Sequence, residues 1–174
     1  MTFRRYLGFL FALQVLTLIS CASKPKLTGR AELCGYVVDE NNYPVEEFIV
    51  SCRSELGVWK TTITNQKGFF MFENIDLGNC FFKGQKNGFV KLEKNMEIFG
   101  DKSKVVCFQV SSLDRALDSV EEKILCEDFE SAKALLNQIV YMKKSPAESV
   151  ILCYKIYVDK QIKEKKKNEK KGNV

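Results

Sequence analysis

The chain has 174 residues, with 27 lysines and arginines against 22 aspartates and glutamates, and no histidine. That length holds one ordinary domain, or a small domain with an appendage. The missing histidine removes Ser-His-Asp and Cys-His hydrolase chemistry, HExxH metalloenzymes and most catalytic zinc sites.

Charge is unevenly placed. Residues 21–158 carry 18 basic and 19 acidic side chains, whereas residues 159–174 carry seven lysines and three acids. The folded part is therefore nearly neutral. It has no basic face with interleaved aromatics, so nucleic acid is not an expected partner.

Arg4 and Arg5 precede an apolar run from Tyr6 to Ile19, interrupted by Gln14 and Thr17. These 14 residues fall short of the ~20 needed to span a bilayer. They suit the apolar region of an export signal, so residues 1–20 are expected to be a signal peptide outside the fold. The run ends in Leu18-Ile19-Ser20-Cys21, which resembles the lipobox of bacterial lipoproteins, with Ile19 bulkier than usual at its position. That resemblance implies cleavage before Cys21 and lipidation of this cysteine by several acyl chains, enough for stable anchoring. It places the mature chain on the bacterial cell envelope, anchored to the outer membrane on its periplasmic or surface face. Ordinary signal-peptidase cleavage after Ala22, with Ser20 and Ala22 as the small pair, is the alternative. Residues 21–30 follow as a lipidated N-terminus and polar tether.

Residues 31–110 read as β-structure. Short β-branched and aromatic runs near 32–38, 47–53, 58–64, 68–73, 80–85, 89–98 and 104–110 alternate with turn residues. The turns are Asn41-Asn42, Asn65-Gln66-Lys67-Gly68 and Asn87-Gly88. Alternation puts Leu33, Gly35 and Val37 on one face, Val50 and Cys52 together on the next strand, and Phe70 and Phe72 together on a later one. Many short strands with turn signals and no helical period indicate a sandwich.

The segment from Cys34-Gly35 through Asp39 to Pro44-Val45 is similar to the opening of the carboxypeptidase regulatory-like domain. That opening runs as a glycine, a strand valine, an aspartate, a turn and a proline-apolar pair. Thr61-Thr62-Ile63-Thr64, the turn to Gly68 and Phe69-Phe70-Met71-Phe72 resemble its threonine strand, glycine turn and aromatic strand. Leu77-Gly78 and Gly88-Phe89 resemble its closing motifs, with Cys80 where the family often has tyrosine. The resemblance covers about half of the mature chain. It implies a seven-stranded Greek-key β-sandwich of the transthyretin (prealbumin) type. Such a domain is a non-catalytic module, found beside peptidases, in front of outer-membrane transporters and on surface proteins.

Residues 111–167 change period. Leu113, Leu117, Val120 and Ile124 recur at helical spacing, as do Phe129, Ala132, Leu136 and Ile139. Glu127-Asp128 separates the two helices. Ser145-Pro146-Ala147-Glu148 is a start signal, with Ser145 as N-cap, Pro146 at N1 and Glu148 at N3. A third helix then runs through Val150, Cys153, Tyr154 and Tyr157. The fold class is thus α+β, a sandwich followed by a helical hairpin or three-helix extension. Residues 168–174 are expected to be a Lys-rich disordered tail.

Besides Cys21 there are six cysteines: Cys34, Cys52, Cys80, Cys107, Cys126 and Cys153. In an exported chain they permit three disulfides; as free thiols they serve as small hydrophobes. Spacing leaves both open. No catalytic residue, metal site or cofactor is expected, because a thiol nucleophile needs a base and no histidine supplies one. Function is therefore expected in surfaces. The preferred reading is a lipid-anchored binding or assembly module of the envelope. Its partners are the membrane, through Cys21, and an envelope protein, through a face of Val150, Tyr154 and Tyr157. A structural tether holding anionic wall polymer or lipid through the lysine tail is one alternative. An accessory domain of an envelope enzyme or transporter is the other.

Overall fold

The computed structural model of the chain describes residues 29–55, 57–99 and 104–172. The expected signal peptide, Cys21 and most of the tether lie outside them. The elements in chain order are β1 (Arg30–Val38), β2 (Ile49–Ser54), β3 (Lys60–Ile63), β4 (Phe69–Asp76), β5 (Gly78–Gln85), β6 (Phe89–Val90), β7 (Leu92–Ile98), β8 (Lys104–Gln109), α1 (Leu113–Leu125), α2 (Phe129–Gln138), β9 (Ile139–Val140) and α3 (Pro146–Gly172). The architecture is α+β.

Two sheets face each other, one in the order β4-β1-β8 and one in the order β3-β2-β5-β7. β1 runs antiparallel to β4 and parallel to β8, paired from Leu33–Lys104 to Val38–Gln109. The alternation read from sequence is what closes the space between the sheets. Leu33, Val37, Val50, Cys52, Phe70 and Phe72 are all buried in one core. Phe108 of β8 stacks on Phe70 with centroids 5.8 Å apart and tilts against Phe82 of the other sheet at 5.2 Å. Each fully buried phenylalanine contributes about 1.5–3 kcal/mol over leaving it in water. Gly35 lies where the packing leaves no room. A Cβ there would sit 2.5 Å from the Val106 carbonyl oxygen and 2.6 Å from the Phe70 ring. The β3–β4 turn needs its glycine for another reason, since Gly68 has φ +69°. The Asn65 side-chain oxygen accepts from the backbone N–H groups of Lys67 at 2.9 Å and Phe69 at 3.1 Å.

The strand expected over 89–98 is split. Phe89 and Val90 leave the sandwich sheets and pair with Val140 and Ile139. Lys91 N–H donates to Gln138 O at 2.9 Å, and Val90 N–H to Ser111 O at 2.9 Å. The Val90 side chain packs into the second core, whereas Phe89 still packs against the sandwich core, edge-on to Phe48, so the pair bridges the two layers. That core is built from Ala116 and Val120 of α1, Ala132 and Leu136 of α2, and Ile151, Val158 and Ile162 of α3.

Helix ends fall where the capping residues stand. Asp128 caps α2, accepting from Ser131 N–H at 3.2 Å, after Glu127 turns the chain at φ +56°. Ser145 Oγ accepts from Glu148 N–H at 3.3 Å, and the Glu148 carboxylate accepts from Lys144 N–H. The lysine-rich end corrects the expectation of a disordered tail, because α3 continues to Gly172. Lysine and glutamate are good helix formers. A Lys160–Glu164 pair at 3.9 Å and a Lys166–Glu130 pair at 3.1 Å brace the segment against itself and against α2.

Candidate functional site

The three helices share one apolar core but do not use up their apolar surface. On α3, Ile151, Val158 and Ile162 face inward. The neighbouring positions stay outside, with Ile156 70% and Tyr157 46% exposed. On α1 the buried stripe takes Ala116 and Val120 and leaves Leu125, at the last turn, 83% exposed.

Of these, Leu125 and Tyr157 meet in a groove between α1 and α3 of about 470 Å³, lined by Glu121, Ile124, Leu125, Cys153, Tyr154 and Tyr157. Among the described residues Glu121 is the one carboxylate of the lining, and it accepts a hydrogen bond from the Tyr154 hydroxyl. That hydrogen bond, with some burial, pushes the Tyr154 phenol above its ordinary pKa, so it stays a neutral donor. The rest of the lining is aliphatic, aromatic and thiol. Such a surface offers mainly shape and apolar contact, with Cys153 as an exposed thiol.

Of the expected partner face, Tyr154 and Tyr157 both line the groove. Their roles differ: Tyr154 also packs against the helical core, whereas Tyr157 is largely free of it. Val150 is 44% exposed one turn earlier on α3 and is not part of the lining. Sequence reasoning missed Ile124, Leu125 and Cys153 as lining residues. Leu125 did leave a signal, since it falls off the Leu113–Leu117–Val120–Ile124 stripe and an apolar residue off the stripe has no core to enter.

Cys52, Cys80, Cys107, Cys126 and Cys153 are free thiols, so the alternative of three disulfides among the six cysteines is not realised in the structure. They are spread over two layers. Cys52 and Cys80 are buried on adjacent strands of the sandwich and hydrogen-bond each other, while Cys80 Sγ donates to Asp76 O at 3.7 Å. That shared bond, followed by burial, pushes the Cys52 thiol far up and keeps it protonated. Cys107, Cys126 and Cys153 are exposed. Among the described residues no group of three or more Cys, Asp or Glu side chains is placed to hold a metal ion. Also among them, no helix is long and apolar enough to cross a membrane.

No protein-family model matches the chain, and no curated protein matches it. Solved structures give partial likenesses. A 3-chlorocatechol 1,2-dioxygenase from Rhodococcus opacus is 8% identical over 51% of this chain and 62% of its own, with a TM-score of 0.40. A protein from Bacteroides uniformis described as a putative carbohydrate binding protein is 15% identical over 46% of this chain and 40% of its own, also at 0.40. The 5-hydroxyisourate hydrolase of Klebsiella pneumoniae is 17% identical over 47% of this chain and 90% of its own, at 0.39. The chain thus spans less than two thirds of the dioxygenase and of the Bacteroides protein.

Proposed function

We propose that this chain is a non-catalytic, lipid-anchored module of the bacterial cell envelope that binds a protein partner in the groove between α1 and α3. The observation that carries the reading is the apolar groove itself, with Leu125 and Tyr157 of its lining left in solvent. An amphipathic helix laid into such a groove buries its own apolar face and these side chains together. Aromatic and aliphatic anchors with few charges are what interface cores favour.

The anchor rests on the Arg4-Arg5, apolar run and Leu18–Cys21 order. The non-catalytic reading rests on the chain's lack of histidine and on the resemblance to the carboxypeptidase regulatory-like domain. That resemblance also supplies the finer fold reading, a Greek-key sandwich of the transthyretin type serving as a rigid spacer.

Two experiments test the parts separately. Cells fed a clickable palmitate should label the wild-type chain and not Cys21→Ser; equal labelling of both removes the anchor. A photo-crosslinking residue in place of Tyr157 should capture one discrete envelope protein, and the same residue in place of the exposed Glu93 should not. Equal capture at both positions removes the groove as the binding face.

A further inference from the structure

A second surface lies on the outer face of the four-stranded sheet, built from residues that the helical groove does not use. Trp59, just before β3, meets Phe81 of β5 edge-on with ring centroids 5.8 Å apart. The Arg53 guanidinium stands 5.0 Å and the Lys83 ammonium 3.9 Å from the Trp59 ring centroid. Phe81 sits mid-face, with Arg53 of β2 directly opposite on one side and Asn95 of β7 on the other. One step along, Lys83 lies between Ser51 and Glu93; one step back, Asn79 lies opposite Glu97.

We propose that this face binds a neutral oligosaccharide, with Phe81 as the stacking floor, Trp59 beside it under the Arg53 and Lys83 heads, and Arg53, Asn79, Glu93 and Asn95 as hydroxyl partners. Among the described residues no ion pair joins Arg53, Lys83, Glu93 or Glu97; the Arg53 and Lys83 heads rest on the Trp59 ring, and the Asn79 amide donates to Glu55 at 3.0 Å.

The balance of groups selects the ligand class. Arg53, Lys83 and Lys91 are matched in number by Glu55, Glu93 and Glu97, so the face has no positive excess to hold an anion. Its cation positions beside the Trp59 ring are already filled by the protein's own side chains. A purely apolar partner would strip water from Asn79, Asn95 and Glu93 without replacing their hydrogen bonds. A sugar ring meets both demands. Its C–H face covers an aromatic ring, and each hydroxyl both donates and accepts, as a mixture of amide, carboxylate and guanidinium requires.

The face also has the dimensions of an oligomer site. A cleft of about 410 Å³ that includes Arg53, Phe81 and Asn95 and a second of about 270 Å³ that includes Ser51, Lys83 and Glu93 lie along the same strands. From Asn79 to Gln85 the strand extends ~20 Å, longer than a single sugar ring.

The chain has one tryptophan, so its fluorescence reads this face directly. Full-length mature protein is titrated with neutral hexasaccharides of the β-glucan, α-glucan, xylan and chitin series. At least one should give a saturable change in emission that raised salt leaves in place. Phe81→Ala should weaken it by about tenfold or more. Asn95→Ala, an exposed substitution that leaves the melting temperature unchanged, should weaken it as well. The proposal is overturned if no member of the series changes the emission. It is equally overturned if the change survives both substitutions, or if polygalacturonate alone produces it and salt erases it.

Discussion

The Glu40 carboxylate, in the loop after β1, accepts both the backbone N–H of Ser112 at 2.9 Å and its hydroxyl at 2.5 Å. Ser112 is the N-cap of α1, and its Oγ in turn accepts from Arg115 N–H at 3.4 Å. One acid of the sandwich thus holds the first turn of the helical layer, at the positive end of the helix dipole. Leu113 N–H donating to Gly88 O at 2.8 Å completes the junction.

The junction predicts a pH dependence. Burial works to raise the Glu40 pKa, but the Ser112 hydroxyl and backbone bonds, helped by Arg115, outweigh it and leave the carboxyl below its ordinary value. A depressed carboxyl gives stability that is present above the unfolded-state value and lost as pH falls through the folded one. Wild type should exceed Glu40→Gln by about 1 kcal/mol at neutral pH. The gap should close as the solution is acidified below the ordinary glutamate range. Urea titrations of both proteins across that range check it, and parallel curves would remove Glu40 as the clamp.

The sandwich core predicts large costs at Phe108. It touches Phe70 within its own sheet and Phe82 across the gap, and is 1% exposed. Phe108→Ala should destabilise by about 3–5 kcal/mol. Phe69, partly exposed on the outer face beside Tyr36, should cost far less when replaced. Equal costs at the two positions would contradict the assignment of inner and outer faces.

Gly35→Ala should also destabilise, by about 1–3 kcal/mol or more. The added methyl group meets a backbone oxygen of β8, which a rotamer change cannot move aside. Loss of protection in amide exchange should concentrate in β1 and β8. A melt within a degree of wild type would show that the two strands part more easily than their spacing implies.

Thiol labelling separates the cysteines. Cys107, Cys126 and Cys153 should react with a maleimide in native protein, while Cys52 and Cys80 should react only on unfolding, as mass spectrometry of each peptide will read. Oxidation of Cys52 to Cys80 in protein isolated without reductant would replace the free-thiol state with a cross-strand disulfide.

The two groove tyrosines should behave differently, although one expectation paired them. Tyr157→Ser removes an exposed ring and should leave the melting temperature near wild type. Tyr154→Ser removes packing and the bond to Glu121 and should lower it by several degrees. Identical shifts would mean that the groove is not held as described.

Much of this architecture was legible along the chain because its causes are local. The Leu33–Gly35–Val37 alternation, the Asn65–Gly68 turn and the Ser145–Glu148 cap act within a few residues, and the strands and helices lie close to where those signals put them. What was not legible depends on residues far apart in sequence. The parallel pairing of β1 with β8 joins positions about seventy residues apart. The departure of Phe89 and Val90 to meet β9 depends on where α2 ends. The groove followed the same rule, since Tyr154 and Tyr157 could be placed on one helix, but their opposite wall, Ile124 and Leu125, arrives only through tertiary packing. The gathering of Arg53 and Lys83 on Trp59 likewise needs three strands side by side.

The parallel β1–β8 ladder has a mechanical meaning. The N-terminal side of the chain enters at the start of β1, and the helical layer leaves from the end of β8, so the two attachment points lie at opposite ends of one ladder. Tension between an anchor before Arg30 and a load on the helices therefore slides β1 along β8 rather than peeling it away. Every pair from Leu33–Lys104 to Val38–Gln109 resists at once, and the antiparallel β4 grips β1 from the other side. A chain hung by its N-terminal end and pulled through its helices would bear force as a rivet in shear, not as a zip.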